Sequence, residues 1–257
     1  MSRPDMSFST LGKGCDLAAL SATRAKRWRT GLDAPAHSEV FAGSDTACGA
    51  ALALALARDG LQAAGHDPLS EVEDRRQVLW VQDAATIRLT GRPYRHGLPH
   101  ELRHRLIHVA AKTPEDALFA LEEGLRCRDL AFVIGELAGN PKALDFTASR
   151  RLSLTAEKHG VPLWLVRLDA QAELSSARMR WRVEAAASSP PRWNAEAPGR
   201  ASWHAELFRA RIHAPGKWTL HDDDGRLAAV APASQQPATP DHGDMARATV
   251  GRSLAAL

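Results

Sequence analysis

Residues 39–57, EVFAGSDTACGAALALALA, decide the fold of this chain. A short strand, EVFA, leads into a turn of glycines and small residues, and the apolar helix that follows is expected to end at Gly60. Phosphate-binding loops occupy this strand–turn–helix context and have the form G-x-x-x-x-G-K-[ST]. The stretch therefore predicts the start of an α/β core and raises the question of whether its loop can still hold a phosphate.

The turn keeps the glycines of a phosphate loop but lacks its chemistry. Gly43 opens the turn and Gly49 closes it one residue late, so Ala50 and Ala51 occupy the lysine and hydroxyl positions. Thr46 lies too early in the turn to replace the hydroxyl that holds magnesium. Backbone amides at the helix start could still bind an anion weakly. We interpret the loop as a relic in which both glycines serve a tight connection.

Strands and helices alternate after the loop. The apolar runs QVLWVQDA, LIHVAA, LAFVI and VPLWLVR predict buried strands, and LPHELRHR predicts a short helix. The helix in TPEDALFALEEGLRCRDL is capped by Thr113 with Pro114 at its first position, and the helix in DFTASRRLSLTAEKHG ends at Gly160. Strands buried on both faces and separated by helices indicate a doubly wound, mostly parallel sheet over about residues 39–168.

The C-terminal part of the chain alternates between apolar and charged residues. ARMRWRVEA and ELFRARIHA show this period of two, and in the second segment Phe208 and Ile212 are expected opposite Leu207. KWTLHDDDGRLAAV carries a hairpin signal at Asp224 and Gly225. These segments predict half-exposed antiparallel strands that extend the sheet.

The sequence divides into four regions. They are an N-terminal helical arm (1–36), an α/β core (37–170), a β-rich extension of the core (171–231) and a tail predicted to be disordered (232–257). The 257 residues carry a net charge of +3 and three widely spaced cysteines without metal-ligand spacing, which is typical of reduced thiols in a cytoplasm. The sequence shows neither a secretory signal nor an apolar run of membrane-spanning length, so we expect no membrane association.

The ordered set of segments resembles the core of RecA recombinases. The glycine-containing stretch, QVLWVQDA, TPEDALFALEEGLRCRDLAFVIGELAG and LSLTAEKHGVPLWLVR follow its phosphate loop, second strand, Walker B unit and next strand. HSEVFA before a lysine-free loop, ARMRWRV and AELFRARIHAPGKWTL are similar to the ImuA family of RecA-like proteins. The combined resemblance spans about residues 36–220 and implies a RecA-like doubly wound sheet with an antiparallel C-terminal extension.

The resemblance to ImuA implies a cellular role. ImuA proteins are associated with SOS-induced mutagenesis after DNA damage, in the bacterial cytoplasm and in association with the nucleoid. They act beside ImuB, a Y-family polymerase relative, and an error-prone replicative-type polymerase, and RecA is a further expected partner. The family thus implies a non-catalytic adaptor in translesion synthesis that needs no cofactor and no metal. The alternatives are a cell-division inhibitor of the SulA type and a true RecA-like ATPase.

The residues that a RecA-type ATPase needs are absent or displaced. The Walker B acid falls at Gly135, and Glu136 is expected to point elsewhere because side chains alternate along a strand. Asp83 is the only acid after the second strand and is the alternative base. We therefore predict a pseudo-ATPase. His100 and His104 share a predicted helix face, but without a third ligand nearby we expect surface histidines and no zinc site.

Candidate partner-binding residues lie in the arm and in the extension. In the arm, apolar residues of the predicted helix are expected to dock on a RecA-like surface, either this chain's own or that of RecA; they are Leu17, Leu20 and Trp28. Tryptophan and arginine are enriched at interface hot spots, and the candidates in the extension are Arg178, Arg180, Arg182, Trp193, Trp203, Arg209 and Arg211. The arginines could contact phosphates or acidic partners, or simply protect exposed strands from aggregation.

The loops that contact DNA in RecA follow the Walker B strand and the next strand. Here the corresponding connections, GELAGNPKALDF and LDAQAELSSA, are short and lack the expected glycine- and methionine-rich composition. We therefore expect contact with DNA to be indirect or weak.

Overall fold

The structure, a computed structural model, describes residues 26–32, 36–65, 74–188, 190, 193–194, 196–223 and 225–230. Two predicted arm residues, Leu17 and Leu20, lie outside the described residues, as does the predicted tail. In chain order the elements are β1 (Lys26–Arg27), β2 (His37–Ala42), α1 (Cys48–Ala64), β3 (Gln77–Asp83), α2 (Ala84–Thr90), two short 3₁₀ turns (Arg95–Gly97 and His100–Leu102), β4 (Leu106–Ala111), α3 (Pro114–Arg126), β5 (Leu130–Ala138), α4 (Phe146–His159), β6 (Leu163–Leu168), β7 (Met179–Ala185), β8 (Ser202–Ala210), β9 (His213–Ala214), β10 (Gly216–Asp223) and β11 (Arg226–Val230).

Nine of these strands form one sheet in the order β11-β10-β8-β7-β2-β6-β5-β3-β4. The six strands from β7 to β4 run parallel, whereas β8, β10 and β11 are joined to them and to each other by antiparallel pairs. The predicted α/β class, with a mostly parallel sheet and an antiparallel C-terminal extension, is confirmed. The first strand of the core, β2, lies in the interior of the sheet between β6 and β7.

Helices cover both faces of the parallel part. Helix α1 packs on one face through an apolar stripe that includes Leu52 and Leu56, together with Val166 and Trp181 of the strands. Helices α3 and α4 pack on the opposite face through residues such as Leu121. Each fully buried leucine contributes about 1.5–3 kcal/mol relative to an exposed one, so these two apolar layers hold the helices to the sheet.

Local capping chemistry explains where the helices on the second face begin and end. Thr113 accepts a hydrogen bond from the backbone N–H of Asp116, and Pro114 occupies the first turn, as the sequence predicted. Asp145 caps α4 in the same manner. Gly160 ends α4 in the left-handed conformation (φ 72°), where a side chain would be strained.

Three local predictions are corrected. Helix α1 continues past Gly60 to Ala64, because the apolar pattern of the helix continues at Leu61, which packs against the core. The predicted helix around His100 is a single 3₁₀ turn, so His100 and His104 do not share an α-helical face. The strand predicted in ELFRARIHA ends at Ala210, so Ile212 lies beyond it and is exposed, whereas Leu207 faces the core.

The described part of the arm is also not helical. Lys26 and Arg27 form the short strand β1, which pairs in parallel with β9. The next residue, Trp28, is buried against Trp181 and Trp218, with ring centroids 4.7 Å and 5.2 Å away in edge-on contacts. The sequence left two docking surfaces open for Trp28, one on this chain and one on RecA. In the structure Trp28 packs on this chain.

Candidate functional site

The degenerate phosphate loop lies between β2 and α1, at the carboxyl end of β2. Gly49 is buried where α1 meets the sheet, and a Cβ there would lie 2.7 Å from that of Ala42 and 3.0 Å from Cγ1 of Val166. This glycine therefore permits a close helix–strand approach. At Gly43 an added Cβ would meet mainly the movable carboxylate of Asp45. The two glycines thus differ in how strongly packing requires them.

The residues that replace the phosphate-binding side chains belong to the protein's own packing. Ala50 and Ala51 are partly buried and pack against the apolar layer under α1. The Thr46 hydroxyl lies 2.9 Å from the Cys48 thiol, and Thr46 precedes the hydroxyl position of the motif, Ala51, by five residues. None of these three side chains supplies a positive charge or a free hydroxyl at the start of the helix.

One backbone N–H of the loop, which a bound phosphate would otherwise use, already donates to a carboxylate of the protein. Asp169, at the end of β6, has a left-handed backbone (φ 51°) and accepts a hydrogen bond from the backbone N–H of Ser44 at 3.0 Å. Hydrogen bonding from the side chain of Ser44, together with this backbone N–H, holds the pKa of Asp169 below its usual value. With Asp45 also in the loop, a bound phosphate would meet two negative charges and no lysine. Sequence reasoning missed Asp169, because 125 residues separate it from Ser44.

The two residues of the Walker B region face opposite sides of the sheet. At Gly135 an added Cβ would lie 2.9 Å from Leu121 on α3 and 3.0 Å from Leu165, so this position belongs to the apolar layer away from α1. Glu136 lies on the α1 face, where Nε1 of Trp80 donates to its Oε1 at 2.5 Å. As expected from the alternation along a strand, Glu136 and Gly135 point to different sides of the sheet, and the side of Glu136 is the one that carries α1.

Glu136 is nevertheless enclosed. Only 3% of its surface is exposed, and burial raises the pKa of its carboxyl above the ordinary value, although hydrogen bonds from Trp80 and Gln82 oppose this. Gln82 in turn contacts His108 of the edge strand β4 at 3.0 Å. The oxygens of the Glu136 carboxyl thus accept hydrogen bonds from Trp80 and Gln82 inside the protein. Asp83, the alternative base, is also buried, and its carboxylate caps α2 by accepting from Thr86.

On the face opposite α1, β2, β6 and β7 enclose a buried ionic cluster that the sequence did not reveal. Oε2 of Glu39 accepts from Nε of Arg180 at 2.6 Å, and Oε1 accepts from the Ser175 hydroxyl at 2.9 Å. Nη1 of Arg167 lies 3.9 Å from Glu39, and all three charged residues are at most 5% exposed. The Arg180 guanidinium also lies over the ring of Phe41 at 5.0 Å. A glutamate and an arginine inside otherwise apolar strands are the only sequence signal of this cluster.

A chain of hydroxyls connects this cluster to α4. The Ser153 hydroxyl lies 2.8 Å from Nδ1 of His37 and 2.6 Å from the Ser176 hydroxyl, and Ser149 contacts Ser175 at 2.9 Å. Burial lowers the pKa of His37 to about 4, because the charged imidazolium is poorly solvated there. The chain therefore fixes the connection before β7 against α4 and keeps a neutral histidine in the core.

The predicted partner-binding residues of the extension separate into buried and exposed groups. Trp203 is buried beneath the extension, and so is Arg180, which rules out direct contact of either with a partner in this conformation. Trp218 of β10 is buried as well. Trp193 is 82% exposed, and Arg182, Arg209 and Arg211 are exposed as well.

Ion pairs neutralise the arginine row of β7. Arg178 pairs with Glu157 of α4, Arg180 with Glu39, and Arg182 with Glu206 at 2.9 Å. The row that looked like a continuous positive face in the sequence is thus divided between the core and two surface pairs.

Within the described residues, no group of three or more His, Cys, Asp or Glu side chains could hold a metal ion, and no helix is long and apolar enough to cross a membrane.

Comparison with known proteins finds curated relatives that match part of the chain. Protein ImuA of Caulobacter vibrioides, found in two strains, is 35% identical over 126 residues, which cover 45% of this chain and 50% of the relative. The chain thus spans about half the length of the curated relatives it matches. The resemblance to ImuA expected from the sequence is confirmed over this stretch.

The other comparisons add little. No family model matches the chain. Among solved structures, SulA from Pseudomonas aeruginosa is 24% identical and covers 52% of this chain and 98% of its own, but the TM-score is 0.35. A similarity of that size carries no argument about function.

Proposed function

We propose that the protein is a non-catalytic, RecA-like adaptor in SOS-induced translesion mutagenesis. The observation that carries this proposal is the stretch 35% identical to Protein ImuA. The expected partners are an ImuB-type polymerase relative and an error-prone replicative-type polymerase, with RecA as a further candidate. Because the match covers half of the relative, both the adaptor role and the partners are proposals for this chain.

The geometry of the degenerate loop supports the absence of catalysis. Phosphoryl transfer depends on positioning and charge stabilisation, which a lysine clamp and a held metal supply. Here Ala50 and Ala51 occupy those positions, and the carboxylate of Asp169 takes the Ser44 amide. Glu136, the acid on the loop side of the sheet, is bound by Trp80. We expect neither magnesium-dependent ATP hydrolysis nor ATP binding at physiological concentration.

Calorimetric titration with ATP and magnesium tests the loss of nucleotide chemistry. The expected result is no binding heat and no phosphate release above background. Ala50→Lys alone should not create activity, because Ala51 and Gly135 still leave the metal unheld. Micromolar affinity, with phosphate release that Glu136→Gln abolishes while the circular dichroism spectrum is unchanged, would identify a working ATPase and contradict the proposal.

The adaptor role is tested by pull-down against ImuB and RecA from the same bacterium. Deleting everything from residue 190 onward is not a clean test, because it removes β8, β10 and β11 with the buried Leu207 and Leu220. Trp193→Ala is the sharper variant, since Trp193 is the exposed aromatic candidate. A chain ending at residue 231 tests the tail separately.

We expect the full chain to retain ImuB and Trp193→Ala to weaken that retention at least tenfold, as loss of an aromatic hot spot does. Phe119→Ala, which removes another exposed aromatic residue from α3, is the matched control and should leave retention unchanged. Retention of the FtsZ division protein in place of ImuB would favour the SulA-type alternative.

A further inference from the structure

The exposed basic side chains near the β8–β10 turn differ from the arginines of β7. Arg209 and Arg211 are exposed, and within the described residues neither forms an ion pair. The same holds for Lys26, Arg27 and Arg29 of the N-terminal segment. These five residues, called the basic ribbon below, keep charges that no carboxylate of the described structure neutralises.

Strand pairing brings the two segments of the basic ribbon together. Lys26 is paired with His213 and Arg27 with Ala214, and Nδ1 of His213 lies 3.3 Å from the Lys26 carbonyl oxygen. Consecutive Cα atoms are 3.8 Å apart and neighbouring strands about 4.8 Å, so the Cα atoms of Arg211 and Lys26 are within about 13 Å. Two segments almost two hundred positions apart in the sequence therefore lie next to each other.

The core fixes the position of this surface. Trp28 is inserted between Trp181 and Trp218, and the Arg27 guanidinium lies 5.7 Å from the ring centroid of Trp218. The backbone N–H of Arg211 donates to the Arg178 carbonyl at 3.0 Å. Because both segments are anchored to the sheet, the cations do not have to be gathered from independent flexible chains at the moment of binding.

The charged residues in both segments of the basic ribbon are all positive. Residues 26–32 read KRWRTGL and residues 208–217 read FRARIHAPGK, and neither segment contains an aspartate or a glutamate. The ribbon lies beside the start of β7, since Met179 pairs with Ala210. It is thus at the opposite end of the sheet from the degenerate phosphate loop, which follows the carboxyl end of β2.

We propose that the basic ribbon binds the phosphate backbone of duplex DNA without sequence specificity. Protein–DNA interfaces are more polar and far more positively charged than protein–protein interfaces, which are built around buried aromatic anchors. Of the aromatic residues of this region, Trp28 and Trp218 are both 6% exposed, and Phe208 is partly buried against Phe41 with the Arg180 and Arg182 guanidinium groups over its ring, so none is a free aromatic anchor. A single exposed apolar residue, Ile212, is ordinary for a turn.

This inference does not depend on the adaptor role, and it differs from the expectation that DNA contact is indirect or weak. The cations contact phosphates, not bases, so affinity arises from the release of counterions. The logarithm of the binding constant then falls by about 0.9 per phosphate contact for each tenfold rise in salt. Five contacts give a slope of about −4.5 for duplex DNA.

The test is fluorescence anisotropy of a 20-base-pair duplex with the full chain between about 25 and 200 mM potassium chloride. Two double variants remove charge from different segments of the ribbon: Arg209→Gln with Arg211→Gln, and Lys26→Gln with Arg29→Gln. The matched control, Arg126→Gln with Arg182→Gln, removes two exposed arginines that lie outside the ribbon and have carboxylate partners. Circular dichroism checks that each variant remains folded.

Each ribbon variant should reduce the magnitude of the salt slope by about 1.8 and weaken DNA binding about 60-fold at 0.1 M salt. The control should change the affinity for DNA less than about twofold. Three results would overturn the proposal. They are no binding by the full chain at 25 mM salt, an effect from only one of the two ribbon variants, and a control effect equal to theirs. Displacement of DNA by polyglutamate at equal charge concentration would instead identify a surface for acidic proteins.

Discussion

Replacing Arg180 should test whether the buried arginine of the extension is a structural residue or a partner contact. The variant Arg180→Met keeps an apolar stem beside Phe41 and removes the guanidinium from Glu39. Removing one partner of a buried ion pair costs about 3–5 kcal/mol, because the other charge is left without compensation. Glu39 would still have Arg167 at 3.9 Å and the Ser175 hydroxyl at 2.9 Å. We therefore expect the lower end of that range, about 3 kcal/mol.

Urea unfolding followed by tryptophan fluorescence measures this loss of stability. For a chain of this size a slope of about 3 kcal/mol per molar urea is reasonable, so 3 kcal/mol lowers the midpoint by about 1 M. Arg182→Met is the control. Its ion pair with Glu206 is exposed at the surface, with side chains 52% and 32% accessible, and is worth less than about 1 kcal/mol.

A double-mutant cycle separates the ion pair from other effects of the substitution. When Glu39→Gln is combined with Arg180→Met, both charges of this pair are removed, but Arg167 loses the carboxylate that lies 3.9 Å away, so we expect the double variant to regain only part of the lost stability. An Arg180→Met midpoint within about 0.3 M of the parent, equivalent to less than 1 kcal/mol, would refute this reasoning. So would a double variant less stable than Arg180→Met alone.

Three further predictions concern the core. The unfolded chain protonates His37 below pH 6.5 and the folded chain only near its pKa of about 4, so stability should fall as pH decreases through that window. Urea unfolding should show that the free energy of unfolding falls between pH 7 and pH 4.5. This fall should be smaller by roughly 2 kcal/mol in His37→Gln than in the parent. Gly49→Ala should lose about 1–3 kcal/mol in thermal unfolding, because its Cβ would lie 2.7 Å from that of Ala42, whereas Gly43→Ala should change little. Trp28→Ala should lose about 3–5 kcal/mol in urea unfolding by leaving a cavity beside Trp181, while the exposed Trp193→Ala stays within about 0.5 kcal/mol; equal losses in the two variants would contradict the packing of Trp28.

Features governed by short-range chemistry could be predicted from the sequence. Thr113 as a cap and Gly160 as a helix end depend on residues within one turn, and the hairpin around Gly225 depends on four. The buried strands β3, β5 and β6 follow from apolar runs, whereas β4, which LIHVAA predicted as a buried strand, is the edge strand of the sheet, with Ile107 44% exposed. These signals were sufficient for the α/β class and for the change to antiparallel strands.

The contacts that define the candidate site could not be predicted in this way. Glu39 and Arg180 are 141 residues apart, and Ser44 and Asp169 are 125 apart. Each pair meets only because β2 lies between β6 and β7 in the sheet. The sequence showed an arginine alternating with apolar residues, and it did not show that a buried glutamate on the neighbouring strand neutralises it.

The end of the N-terminal arm, Lys26 to Trp28, was misjudged for a related reason. These three residues were expected to belong to a helix, but Lys26 and Arg27 form β1 and Trp28 fills the space between two tryptophans of the extension. Tertiary packing of a large aromatic residue outweighs helix propensities of a few tenths of a kcal/mol per residue.

The pairing of β1 with β9 has a kinetic consequence. Lys26 and His213 are 187 residues apart, so their contact closes a loop that contains nearly the whole sheet. The entropy of closing so long a loop must be offset by contacts that only an assembled sheet provides, and non-local pairing of this kind is slow. Trp28 should therefore reach its site in the last step of refolding. On a ribosome, Lys26 and Arg27 therefore cannot pair until synthesis has passed Ala214, more than 180 residues later.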